Sequence, residues 1–157
     1  MGKSLDRVRR ALTAAGLADT IRETGADSRT APLAAAAIGC ATDQIAKSIL
    51  FRGANSGALW LFVTAGGRRV DMDRAAHLAG EPLGPADAGQ IRAVTGFAIG
   101  GVAPLGHLTP PRGFFDRQLM DFAEVWAAAG TPNHVFGVAP AALLAASGLQ
   151  MEDFSVQ

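Results

Sequence analysis

The chain is poor in the residues from which most enzyme sites are built. It has one cysteine, Cys40, three histidines and no tyrosine, and only 18% of its residues are Asp, Glu, Lys or Arg. A lone cysteine excludes an internal disulfide framework and a multi-thiolate zinc site, and it fits a reducing cytoplasm. His77, His107 and His134 lie far apart with no ligand spacing between them, so no metal is expected. Fourteen basic residues balance fourteen acidic ones. No global field therefore draws the chain to DNA or to an acidic membrane surface, and any contact with nucleic acid has to be local. Apolar runs are broken by Gly, Pro or charge well before the ~20 residues of a membrane span. The opening MGKSLDRVRRALTAAGL carries charge where a signal peptide would be apolar, so export is not expected. The G-x-G-x-x-G and Walker loops, the G-x-S-x-G elbow and H-E-x-x-H are all missing.

What the chain does have is apolar bulk and backbone freedom: 49% hydrophobic residues and 19 glycines in 157. That length suits one domain, 1–157, with one well-buried core. Leu5, Val8, Leu12 and Ala15 predict an amphipathic first helix stopped by Gly16. DSRTAPLAAAAIGC predicts a short second helix, with Ser28 or Thr30 as N-cap and Pro32 in the first turn. QIAKSILF and ALWLFV read as antiparallel strands joined by RGANSG. VDMDRAAHLAG reads as a strand end entering a helix, and PADAGQIRAVTG as a helix with Pro85 near its start. Phe97 to Val102 is expected to be a strand bent at its glycines. GFFD, EVWAAA and HVFGV are further strands, and PAALLAASG is a last helix. Helices and strands mix without a steady βαβ alternation. The fold class is α+β, a mixed and mostly antiparallel sheet or partial barrel with packed helices.

Few residues carry chemistry. On a strand over 45–51, Ile45, Lys47, Ile49 and Phe51 share a face, so one cation sits in an apolar row. Lys47 is either an edge-strand lysine that discourages aggregation or a pocket lysine that binds a substrate oxygen. Ser48 points to the other face. In TGFAIGGVAPLGH, Thr95 to His107, glycines crowd a stretch without charge. This is either a bent strand and turn, or a set of N–H groups from Gly100, Gly101 and Val102 facing a reacting carbonyl. His107 is an acid, a base or a loop histidine. Asn133 and His134, in AGTPNHVFGVAP, stand before a strand where pocket rims are built. Cys40, between Gly39 and Ala41, reads as a packed side chain.

Taken in order, ATDQIAKSILF, LWLFVTAGGRRVDMDRAAHLAG, AVTGFAIGGVAPLGH and AGTPNHVFGVAPAALLAASG resemble the YbaK family, the fold of the prolyl-tRNA synthetase editing domain and its free-standing relatives. The resemblance covers roughly Ala31 to Gly148. It implies hydrolysis of an amino acid wrongly esterified to tRNA, usually tRNA for proline, without metal or cofactor. By position, Lys47 matches the family's essential lysine. Gly100 and Pro104 match its G-x-x-x-P loop, whose backbone, Gly101 included, contacts the aminoacyl carbonyl. Ser48, Val102, His107, Asn133 and His134 are then expected around the substrate. Ser48 departs from the Lys-Asn of the alanine-specific branch and the Lys-Thr of others. That leaves alanine, serine, cysteine and 2-aminobutyrate open as the amino acid removed. The implied partners are the acceptor end of aminoacyl-tRNA and prolyl-tRNA synthetase, in the cytoplasm. A non-catalytic tRNA- or synthetase-binding module of the same fold is the other reading.

Overall fold

Every residue of the strand Leu59–Ala65 is buried, which a strand achieves only when both faces and both edges are covered. The computed structural model, which describes residues 2–25 and 27–157, shows how. The elements run α1 (Lys3–Ala14), β1 (Arg22–Glu23), α2 (Ala31–Ile38), β2 (Ala46–Gly53), β3 (Leu59–Ala65), β4 (Arg69–Val70), α3 (Met72–Ala79), β5 (Leu83–Pro85) and α4 (Ala88–Thr95). They continue with β6 (Arg112–Asp116), β7 (Val125–Ala128), β8 (His134–Val138), α5 (Pro140–Ser147), β9 (Gln150–Glu152) and β10 (Ser155–Val156). The main sheet has the order β5-β2-β3-β6-β9. Its β5–β2 and β2–β3 ladders are antiparallel, and β3–β6 and β6–β9 are parallel. A three-stranded antiparallel sheet, β1-β8-β7, meets it at one isolated parallel bridge, Ile45 to Trp126. β10 pairs with β4. The α+β class is as expected, and the mixed sheets do not close into a barrel.

Alternation along β2 and β3 sorts their side chains into two cores. Ala46, Leu50, Leu61, Val63 and Ala65 pack with Leu5, Val8 and Leu12 of α1. Ile49, Phe51, Trp60 and Phe62 pack with Phe114 and Phe154 on the other face. Caps mark the helices. Thr30, not Ser28, accepts from Leu33 N–H at α2, while Asp71 and Asp87 cap α3 and α4. Pro85 lies outside α4 and closes β5 instead. The stretch Phe97–Val102 forms no strand. Gly100 adopts φ +91°, and Gly101 N–H turns back to Ala98 O at 3.0 Å, which breaks an extended path. The result is a loop whose ends meet, Leu108 N–H donating to Thr95 O and Thr109 N–H to Val94 O. Arg7 of α1 holds it from below. The guanidinium donates to Gly96 O and Gly106 O, each at 2.9 Å, and lies 4.7 Å from the Phe97 ring.

The β2–β3 turn is held by one carboxylate. Glu81 accepts from the amides of Asn55 and Ser56, the Ser56 hydroxyl and the Trp60 indole N–H, at 2.7–3.1 Å. These donors, the Ser56 hydroxyl first, pull its pKa down to about 2. A folded pKa below the unfolded one stabilises the fold above the unfolded value and loses that contribution as pH falls toward about 2. Glu81→Gln should therefore lower the melting temperature at pH 7. Melts repeated from pH 7 to pH 3 should show the gap to wild type narrowing as the carboxylate of the unfolded chain takes up a proton that the folded one does not.

Candidate active site

β2 and β7 touch at the Ile45–Trp126 bridge and then part, and the space between them is a cleft of about 890 Å³. β2 forms one wall from Ile45 to Phe51, and Trp126, Ala127 and Ala128 form the other. The loop before α2, with Arg29 and Thr30, closes one end, and Ile99, Gly100 and Val102 overhang it. Most of the lining is apolar, which suits a small organic ligand held by few polar groups.

Lys47 is the cation on the β2 wall. Its Nζ donates to Gly66 O at 3.1 Å and Arg68 O at 2.6 Å, both on the turn between β3 and β4. Asp43 accepts from Gly67 N–H at 2.7 Å, and Asp116 accepts from Ala65 N–H at 3.0 Å and from Gln118 N–H. Burial pushes the Lys47 pKa below its ordinary value, and the charges of Asp43 and Asp116 oppose that shift. An ammonium has three protons. Two are committed to carbonyls, and among the described residues the third has no protein acceptor.

On the overhanging loop, Gly101 N–H is taken by Ala98, so the expectation of three free amides is corrected to two. Among the described residues, those of Gly100 and Val102 donate to no protein acceptor. A Cβ on Gly100 would run into the Arg29 stem at 2.7 Å, and Arg29 is itself clamped by Asp27.

The cleft thus gathers Lys47, Ser48, Gly100 and Val102. The other residues singled out from the sequence do not line it. Gly101 is buried against the Gly130–Thr131 backbone, and Pro104 is buried beside it in the loop. His107 turns toward α1, its Nε2 donating to Ala103 O at 2.6 Å and its ring edge-on to Phe97, and burial lowers its pKa. Asn133 borders a separate shallow depression with Glu23 and Arg29. His134 Nδ1 shares a hydrogen bond with Thr131 Oγ1 at 2.7 Å. Cys40 packs beside Trp126, and burial pushes its thiol pKa up, against use as a thiolate. Among the described residues no group of three or more His, Cys, Asp or Glu converges on a point where a metal ion could sit. Nor is any helix among them long and apolar enough to cross a membrane.

The sequence pattern of the aminoacyl-tRNA editing domain family matches residues 26–146. The chain belongs to this family. Its relative YwhH of Bacillus subtilis (strain 168), a protein without a described activity, is 31% identical over 137 residues, 87% of each chain. A crystal structure provisionally described as a trans-editing enzyme for prolyl tRNA synthetase is similar with a TM-score of 0.91 and 41% identity. The similarity covers 100% of this chain and 99% of that one. Hypothetical protein APE2540 is similar at a TM-score of 0.87 and 27% identity, over 96% and 99% of the two chains. The fold of these solved structures is shared over 96–100% of this chain, and the family pattern itself covers residues 26–146.

Lys47 also has a structural task, because its removal strands two half-buried carbonyls on the β3–β4 turn. An unpaired buried acceptor costs about 1–3 kcal/mol. Lys47→Met should lower stability by about that much in urea titration. A variant as stable as wild type would show that water replaces the ammonium at no cost.

Proposed function

We propose that the protein is a free-standing deacylase that hydrolyses the ester of a mischarged aminoacyl-tRNA. The substrate in view is tRNA for proline carrying a small amino acid such as alanine, serine, cysteine or 2-aminobutyrate, met in the cytoplasm alone or beside prolyl-tRNA synthetase. The observation that carries this reading is the composition of the cleft. Apolar walls surround one lysine whose third proton, among the described residues, meets no protein acceptor, under a loop with two amides that likewise meet none. An aminoacyl ester is already activated and asks of a protein little beyond position and charge stabilisation.

In this mechanism water adds to the ester carbonyl carbon, and negative charge gathers on the carbonyl oxygen. Gly100 and Val102 N–H meet that oxygen. The bond to the ribose oxygen then breaks, and that oxygen takes up the proton that water gives up. Lys47 supplies a fixed positive charge and a third N–H for a substrate oxygen. Its tether to Gly66 and Arg68 supports a role in holding charge over one in moving a proton. The chain has no net charge. This supports binding confined to the tRNA acceptor end or assisted by the synthetase. Support for the prolyl assignment comes from the 41% identical structure described as a trans-editing enzyme for that synthetase.

A panel of mischarged tRNAs tests the reading directly, and release of a small amino acid from tRNA for proline is the expected result. No release from any of them at micromolar protein would favour a binding module instead. Gly100→Ala should lower the single-turnover rate ~10²–10³-fold by displacing an oxyanion donor. It should also cost about 1–2 kcal/mol, because φ is positive there. Gly148→Ala pays the same kind of strain, at φ +70° in open space away from the cleft, and should keep its rate. Equal rate losses in the two variants would show that strain, and not the site, sets the effect.

A further inference from the structure

β2 carries unmet polar groups at Ser48, in the middle of the cleft wall. Gly53 N–H donates to Ala58 O across the β2–β3 turn, while Ala54 N–H donates to Pro82 O on the other side. In an antiparallel pair the direction alternates by residue. The N–H and C=O of Lys47, Ile49 and Phe51 therefore face β3, and those of Ala46, Ser48, Leu50 and Arg52 face away from it. On that far edge β5 pairs only with Phe51–Gly53, and β7 meets β2 only at the Ile45 bridge. Neither ladder reaches Ser48, whose main-chain groups open on the cleft. The Ser48 hydroxyl is buried and, among the described residues, has no hydrogen-bond partner. Buried polar groups are nearly always paired, so a cluster of unmet ones implies an occupant that completes it.

The carbonyl only accepts, the hydroxyl can accept and the Ser48 N–H donates, so the occupant has to bring donors together with an acceptor beside them, as an aminoacyl ester does. The neighbouring cation is not one of them, because Lys47 is turned to Gly66 and Arg68. Nearby carboxylates are committed too, Asp27 to Arg29, Asp43 to Gly67 and Asp116 to Ala65 and Gln118. A cationic donor entering here would meet neutral acceptors. Resting on the proposed deacylase reading, we infer that the unpaired edge of β2 at Ser48, its carbonyl and its hydroxyl, seats the free α-ammonium of the aminoacyl ester. The α-ammonium brings three protons and lies one carbon from the ester carbonyl. The geometry is that of a one-residue strand added to an open sheet edge. The substrate class narrows accordingly to esters with an unblocked amine. Aminoacyl-tRNA whose amine is acylated, by a formyl group or a peptide, is not a substrate.

The test uses 3′-alanylamino-3′-deoxyadenosine, in which an amide replaces the ester and cannot turn over readily, and its N-acetyl derivative. Each is titrated by NMR into the wild-type protein and into Ser48→Ala. The free amine should bind about 10- to 100-fold tighter than the acetylated form. Ser48→Ala should weaken the free amine about 3- to 10-fold and leave the acetylated form unchanged. The parallel readout is deacylation of alanyl-tRNA against N-acetylalanyl-tRNA, of which only the first should be cleaved. Equal binding of the two analogues, or equal cleavage of the two tRNAs, overturns the ammonium seat while leaving the deacylase reading in place. Amine-selective binding with no cleavage of any tRNA leaves the seat standing and overturns the deacylase reading instead.

Discussion

A single parallel bridge, Ile45 to Trp126, joins the two larger sheets, and the cleft exists because the pairing goes no further. Past that point β2 keeps β3 on one edge and has nothing on the other until β5 arrives at Phe51. The junction is stiffened where it has to be. Ile45 is buried with Ala31, Ala34 and Ala35 of α2, with Trp126 packed against them, and Arg22 lies 4.7 Å over the indole. A fork made this way opens by strand geometry alone. Its walls are the main chain of β2 and β7 and mostly apolar side chains, Ile49, Leu50, Phe51 and Trp126 among them.

Charge enters this fork under restraint. Asp43, Asp116 and Lys47 hold the backbone from Ala65 to Arg68, the carboxylates on amides and the ammonium on carbonyls. Because each charge is spent on main chain and not on an opposite charge, the lysine is fixed without being neutralised by a contact ion pair. A preorganised cation of that kind acts on a developing oxyanion without first having to reorient. The partly buried ammonium costs desolvation, visible in the lowered pKa of Lys47, and two carbonyl contacts offset part of it.

Local pattern announces some of this and hides the rest. Lys47 stands out because period-two alternation puts a cation in an apolar row, and the β2–β3 pair is legible from two apolar runs about a turn. The glycines of the 96–106 loop announce an irregular backbone but not its path. That path is decided by Arg7, nearly a hundred residues away in sequence, and by the backbone at Gly130 and Thr131. By sequence His107 is open between an acid, a base and a loop histidine, and the resemblance puts it around the substrate. It faces α1 because the loop closes on itself, which no short window can show. Asn133 precedes β8 and His134 opens it, yet the turn before that strand ties down the chain at Thr24 and Ser28 and does not rim the cleft. Asp43 and Asp116 carry no sequence signal, since a carboxylate that serves a distant amide looks like any surface carboxylate. The vacancy at Ser48 is a property of strands that fail to pair, visible only once both sheets are in place.

Arg7 ties the N-terminal helix to the loop over the cleft, although α1 precedes the matched editing-domain segment, 26–146. Leu5, Val8 and Leu12 of the same helix are sunk in the core beneath β3. The loop cannot lift without breaking both guanidinium contacts and the Phe97 contact at once, and α1 cannot fray inward without releasing the loop. Helix and loop therefore form one cooperative opening unit, and their slowly exchanging amides should share one protection factor in hydrogen exchange. The molecule's first turns and the lip of its cleft, far apart in sequence, are held by the same guanidinium.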